Sequence, residues 1–181
     1  MRVKIGVMGS AATDSARLET GNTLVAKAER LAQDIAAKDV VLLTGAATGI
    51  VYVVGKTAHE AGGFHIGISP GSNEHEHVEL YKLPLDACDT LIYTGFGLKG
   101  RNVVLVRSCD IVIFIAGSIG SLNEFTIAYD EGKIIGCLKG SGGTADEIER
   151  VVRSLNKPTS SKLFFESDPV KLLDLCLAAL S

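Results

Sequence analysis

The chain has 181 residues, 46% apolar and 22% charged, which is enough to bury a substantial core in one globular domain. Its net charge is −3 and its Lys and Arg residues form no run or stripe, so the footprint of a nucleic-acid binder is missing and no nucleic-acid partner is expected. No apolar run approaches the roughly 18 residues of a membrane span, so no membrane partner is expected.

Cys88, Cys109, Cys137 and Cys176 are widely spaced, with no Cys-x-x-Cys pair, and read as reduced, packed thiols. The start of the sequence carries no signal-peptide pattern, so a cytoplasmic location is expected. The mean hydropathy of +0.28 is high for a soluble chain and is compatible with a covered face, as in a homodimer or higher homo-oligomer.

In chain order, Val3–Met8 is the first strand and leaves through Gly6-Val7-Met8-Gly9-Ser10. Leu24, Ala28, Leu31, Ala32 and Ile35 then form a helical stripe. The next strand, Val40–Leu43, leaves through Thr44-Gly45-Ala46-Ala47-Thr48-Gly49. His59-Glu60 lacks the second His of a His-Glu-x-x-His motif and reads as helix surface.

After the strand Phe64–Ser69 comes a polar stretch, Ser72 to Glu79, in which His75, His77 and three acids suggest a metal cluster. No further ligands at a recognisable spacing complete it, so no metal site is assigned and a solvated segment is expected. Thr90–Tyr93 is a strand that leaves through Thr94-Gly95-Phe96-Gly97-Leu98-Lys99-Gly100.

Arg101–Arg107 is rich in β-branched residues, yet it lies where parallel strands need a crossover, so topology assigns it to a helix. Ile111–Ala116 and Lys133–Leu138 are strands. Thr144-Ala145-Asp146-Glu147 reads as a capping box ahead of Ile148, Val151, Val152 and Leu155. Lys162–Phe165 is the last strand, and Asp168-Pro169 gives the N-cap and N1 of a helix lined by Leu173, Cys176, Leu177 and Leu180. Several strands are continuous Val/Ile/Leu runs, as in parallel strands covered on both faces. The pattern predicts a single Rossmann-like, doubly wound α/β domain over residues 1–181, with a mostly parallel sheet of about seven strands.

Ligands of open parallel sheets bind beyond the carboxyl ends of the strands. The exits are rich in small residues, which let a ligand approach the backbone. The last of them, Ala116-Gly117-Ser118-Ile119-Gly120-Ser121-Leu122-Asn123-Glu124, opens a helix whose free N–H groups and dipole suit an anion. A small phosphorylated ligand is therefore expected, with Gly9, Ser10, Gly45, Gly49, Gly117, Ser118, Gly120 and Ser121 as candidate ligand- and phosphate-binding residues. No Gly-x-Gly-x-x-Gly or Walker motif is present, and no resident cofactor is expected. Gly117-Ser118-Ile119-Gly120 is not a Gly-x-Ser-x-Gly elbow, so no serine nucleophile is assigned.

Glu124 falls four residues after Gly120, on the same helical face. There it accepts bonds from ribose hydroxyls, serves as a base or stabilises an oxocarbenium ion; the alternative is a first-turn glutamate favoured by the dipole. Arg101 reaches the same edge if its flanking strands, Thr90–Tyr93 and Ile111–Ala116, are neighbours; otherwise it is a surface arginine. Arg101 and Glu124 are the candidate catalytic residues.

The Ala116–Glu124 stretch matches the frame Pro-Gly-Gly-x-Gly-Thr-x-x-Glu, and the chain thereby resembles the Lonely Guy and lysine-decarboxylase-like group of Rossmann-type proteins, which includes molybdenum-cofactor carrier proteins. The group's Arg-Lys element corresponds to Arg101-Asn102, and its Gly-Gly-x-x-Gly element to Gly45–Gly49. Ala116 stands for Pro, Ser118 for Gly, Asn102 for Lys and Ala46 for Gly. The resemblance implies a nucleotide or phosphoribosyl site. In Lonely Guy enzymes the Arg and Glu serve hydrolysis of the N-glycosidic bond of a nucleoside 5′-monophosphate, whereas the carrier branch holds a pterin phosphate without cleaving it. No pyridoxal-phosphate lysine motif supports a decarboxylase.

Overall fold

The computed structural model describes residues 1–11 and 18–180, and the side chains of all of these except 18–22. The elements follow as β1 (Val3–Gly9), α1 (Leu18–Ala36), β2 (Val40–Thr44), α2 (Ile50–Glu60), β3 (Phe64–Ser69), β4 (Thr90–Tyr93), α3 (Gly97–Arg107), β5 (Ile111–Ile115), α4 (Ile119–Asp130), β6 (Ile134–Leu138), α5 (Gly143–Leu155), β7 (Lys162–Glu166) and α6 (Pro169–Ala178). One π turn, Glu76–Leu80, interrupts the connection from β3 to β4. Every predicted strand is present, its ends within one residue of expectation.

The seven strands form one sheet in the order β4-β3-β2-β1-β5-β6-β7, all neighbours parallel. All five residues of β5 are buried, as a run of Ile, Val and Phe in a two-sided sheet requires. On one face, α1, α2 and α6 cover the sheet around Ile5, Leu31, Val54 and Leu172. On the other, α3, α4 and α5 pack around Met8, Leu105, Phe114, Phe125 and Ile148. The Phe114 and Phe125 rings meet edge to face, with centroids 6.0 Å apart, and each buried ring stabilises the fold by roughly 1.5–3 kcal/mol.

Topology does override propensity at Arg101–Arg107, which lies within α3. Asp168 caps α6 as expected, its Oδ1 accepting from the N–H groups of Val170 at 2.9 Å and Lys171 at 3.1 Å. The capping box at Thr144 does not form: α5 begins two residues earlier than that cap requires, at Gly143, and its N-cap is Gly142. All four cysteines are unpaired, and three of them are buried. Among the described residues no helix is long and apolar enough to cross a membrane.

The segment between β3 and β4 is less solvated than expected. His77 is fully buried, with Nδ1 2.8 Å from Ser69 Oγ and Nε2 3.0 Å from Pro84 O. His65 repeats the arrangement: Nδ1 meets Ala87 O, and Nε2 lies 2.9 Å from Thr44 Oγ1. A carbonyl only accepts, so in each ring the nitrogen facing it carries the proton and the other accepts from the hydroxyl. Each hydroxyl in turn accepts a backbone N–H two residues on, from Ala46 and Gly71. Two buried imidazoles thus pin the strand exits of β2 and β3.

The chain runs outward from β1 to β4, then returns across the sheet to β5. Gly9 of β1 and Ile115 of β5 stand side by side where the winding direction reverses. Loops leaving these strands diverge there and open a crevice.

Candidate functional site

The crevice is a cavity of about 190 Å³ at the carboxyl ends of β1, β2 and β5. Its walls include Gly9, Gly45, Arg101, Ser118, Gly120, Ser121 and Glu124, seven of the residues expected from the sequence. Ser10, Gly49 and Gly117 are not part of its lining. Ile50 N–H donates to Ser10 O at 2.9 Å. A Cβ on Gly49 would come within 2.5 Å of the same Ser10 carbonyl. A Cβ on Gly117 would meet Ser121 Oγ at 2.4 Å.

The turn from β5 into α4 is built from unusual backbone. Ala116 has φ +51° and Gly117 φ +95°, followed by an extended Ser118. Its carbonyls are taken by the start of α5. Ala145 N–H donates to Ala116 O at 2.9 Å, Thr144 N–H to Gly117 O at 3.0 Å, and Thr144 Oγ1 to Ser118 O at 2.8 Å. Ala116 N–H donates to Ser141 Oγ at 2.8 Å. Gly143 packs so closely that a Cβ there would lie 2.1 Å from Gly117 O.

With those carbonyls engaged, the turn offers the cavity the opening turn of α4, namely Ile119, Gly120 and Ser121. The Ser118 side chain makes no capping bond, and no acid occupies the first turn. Helix-opening N–H groups lack intrahelical partners and carry the positive end of the dipole, so an anion is the complementary ligand.

Arg101 is 7% exposed, and its Nε and Nη1 are buried without a hydrogen-bond partner. Its guanidinium lies directly on Gly45, where a Cβ would fall 1.5 Å from Nη1. Glycine at 45 is therefore a requirement of the site. The arginine does not arrive by the expected route: β4 and β5 are separated by β3, β2 and β1. It reaches the crevice because α3 crosses back over the sheet from edge to centre and packs on α4. Burial lowers the Arg101 pKa and Glu124 opposes that, but a guanidinium stays charged in proteins. A buried cation with free donors calls for an anion.

Glu124 is also 7% exposed. Burial pushes its carboxyl up to about 7, against the pull of Arg101 and Lys99. With its amide turned to donate, Asn102 places nitrogen 3.0 Å from both Glu124 Oε1 and Leu98 O. Carboxamide orientation follows the hydrogen-bond network, and the Leu98 carbonyl admits only a donor. The cavity thus joins a cationic floor to one carboxyl that titrates near neutrality. That combination suits a phosphate beside a group able to hold or move a proton.

Sequence reasoning missed Lys99 on the wall and the brace at Ser141–Thr144, and it named Asn102 only as the counterpart of the group's Lys. The brace had a signal: Ser141-Gly142-Gly143-Thr144 is a further small-residue exit, following β6. Lys99 had none beyond lying in the glycine-rich segment after β4.

The family described as LDcluster4, SLOG cluster4 family, matches residues 2–173. An uncharacterized protein of Archaeoglobus fulgidus is 33% identical over 137 residues, covering 76% of this chain and 80% of that one. The molybdenum cofactor binding protein of the phototrophic bacterium Rippkaea orientalis superposes with a TM-score of 0.78 at 29% identity, over 100% of this chain and 99% of the other. A Moco carrier protein from Chlamydomonas reinhardtii gives 0.75 at 26% identity, over 99% of each chain. Molybdenum-cofactor carriers are thus among the relatives, as the motifs around Gly117–Glu124 implied.

Proposed function

The chain belongs to the SLOG cluster4 family, and we propose that it binds a small phosphorylated ligand, a nucleotide or a pterin phosphate, in the crevice between β1 and β5. The observation that carries this reading is the buried Arg101 guanidinium with free Nε and Nη1 at the cavity wall. The opening turn of α4, with Ser118 and Ser121, holds the phosphate; Arg101 lies beside it, and Gly9 and Gly45 leave room for the ligand to reach the backbone. Likeness over the full length to molybdenum cofactor binding and carrier proteins supports a holding role.

Titration calorimetry with AMP and with a pterin phosphate tests the reading. Saturable binding that weakens when Gly120 gains a side chain, or in Arg101→Ala, is the expected result. Absence of binding to both ligands by a well-folded sample rejects it.

A second reading, hydrolysis of a nucleoside 5′-monophosphate, is favoured by one observation: a carboxyl held near neutrality beside the same cavity. Water would add its oxygen to C1′ as the C1′–N bond breaks, the bonding pair leaving with the base. Glu124 would stabilise positive charge on the sugar and accept the water proton, which the base finally takes up. Assay of free base from a panel of monophosphates tests it. Glu124→Gln should abolish release and spare binding. Release unchanged in that variant removes Glu124 from the chemistry.

The proposal includes self-association. Phe64 and Ile92, 43% and 47% exposed, lie with the half-buried Val41 and Ile66 on a sheet face at the β4 edge. Sedimentation velocity should return a mass of two or more chains, and a monomer at micromolar concentration counts against it.

A further inference from the structure

Lys99 sits in the first turn of α3 and lines the cavity. Its Nζ lies 3.3 Å from the place a Cβ on Gly120 would occupy, over the opening turn of α4. A cation is unfavourable at the positive end of a helix dipole. No acid in the first turn of α3 or of α4 offsets it. Asn102, three residues on and on the same face of α3, adds no charge.

Three positive features therefore converge on one cavity: the Lys99 ammonium, the α4 N-terminus and the Arg101 guanidinium, whose Nε and Nη1 have no hydrogen-bond partner; the acid on the same wall is Glu124, whose carboxyl burial pushes up to about 7. Arg101 is the independent sign of a ligand, since it is nine-tenths buried, lines this cavity and has Nε and Nη1 without a hydrogen-bond partner. Lys99 is exposed and reaches in from the rim. A ligand phosphate lying on the α4 opening turn contacts the lysine from its solvent side.

We propose that Lys99 sets the ligand charge this pocket selects, giving preference to a doubly charged phosphomonoester over a singly charged diester. The proposal rests on the phosphate-binding reading above. The lysine adds one charge-assisted contact that the second phosphate charge strengthens, while Arg101 and the helix N-terminus seat either ester. A phosphomonoester carries nearly two charges at pH 7, and a diester carries one.

The test is calorimetry at pH 7 with AMP, its 5′-methyl phosphate ester and adenosine, on the full chain and on Lys99→Met and Lys99→Arg. The wild-type chain should prefer AMP to the methyl ester by about tenfold, the scale of one charge-assisted hydrogen bond. Lys99→Met should lose most of that preference, with affinity for AMP falling more than affinity for the methyl ester, and Lys99→Arg should keep most of it. The unfolding midpoint should not fall, because Lys99 is exposed. If Lys99→Met retains the wild-type preference, Lys99 is not the selector, although the pocket still binds phosphate. If the wild-type chain binds AMP no better than adenosine, the phosphate-binding reading falls and the proposal with it.

Discussion

Arg101 and Gly45 belong together as one unit of the site, because the guanidinium occupies the space of the missing side chain. Gly45→Ala must therefore displace the arginine, since the clash at 1.5 Å is with its head group, the movable end of a side chain. The expected outcome is loss of ligand affinity beyond tenfold with a modest fall in stability, read by calorimetry and urea unfolding. Ala116 carries a different strain. At φ +51° it stands in the left-handed region, which costs an L-residue roughly 1–2 kcal/mol. Ala116→Gly should raise stability by about 0.5–1 kcal/mol, the strain relieved less the added chain entropy. Ala116→Pro should lower it by about 3 kcal/mol or more, because proline holds φ near −65° and removes the N–H that Ser141 accepts. Equal midpoints for the two variants would show that the turn relaxes freely. The resemblance put proline at this place, and a φ of +51° in this chain does not admit one. That difference was invisible in the residue letters, because alanine is silent about the sign of φ.

The α5 N-terminus and the β5–α4 turn form a single mechanical element. The sequence Thr144-Ala145-Asp146-Glu147 satisfies the capping-box pattern, yet Thr144 spends its hydroxyl on Ser118 O and Asp146 accepts from the N–H groups of Gly140 and Gly142. A long-range demand displaced the local signature. Thr144→Val keeps the shape and removes one of the two donors to Ser118 O, the Leu122 N–H remaining, which should cost about 1 kcal/mol. The same variant should weaken AMP binding several-fold by loosening the cradle from behind. A variant that loses stability but binds AMP as before would separate the brace from the cradle.

The strands, by contrast, were legible to within a residue. Burial on both faces leaves an unbroken apolar run, as in Ile111-Val112-Ile113-Phe114-Ile115, that no helix surface imitates over so short a length. The crossover α3 was legible only through topology. Arg101 was then placed correctly on a premise of neighbouring strands that the sheet order overturns. Strand order is set by packing between distant segments, and no local periodicity records it.

At the scale of the whole molecule, two buried titratable groups act on stability in opposite directions. His65 sits under the β2 exit, with its pKa lowered to about 4, chiefly by burial; Asp89 and the Ala87 carbonyl oppose the shift, and His59 adds to it. The unfolded chain takes up this proton near pH 6.5 and the folded chain does not, so the contribution of His65 is complete above 6.5 and lost as pH falls towards 4. Glu124 is raised to about 7, so the folded chain binds a proton that the unfolded chain releases near 4.5. Its contribution is complete below 4.5 and lost as pH rises through 7. Each shift corresponds to about 3 kcal/mol, and over the shared window the two largely offset. Glu124→Gln removes one of them. Urea unfolding at pH 4.5 and 7.5 should then show the variant gaining about 3 kcal/mol relative to the wild type between the two values. A constant difference across that range would mean that Glu124 is ionised throughout. The proton-holding carboxyl would then be lost from the hydrolytic reading, while the phosphate seat at Arg101 and α4 would stand.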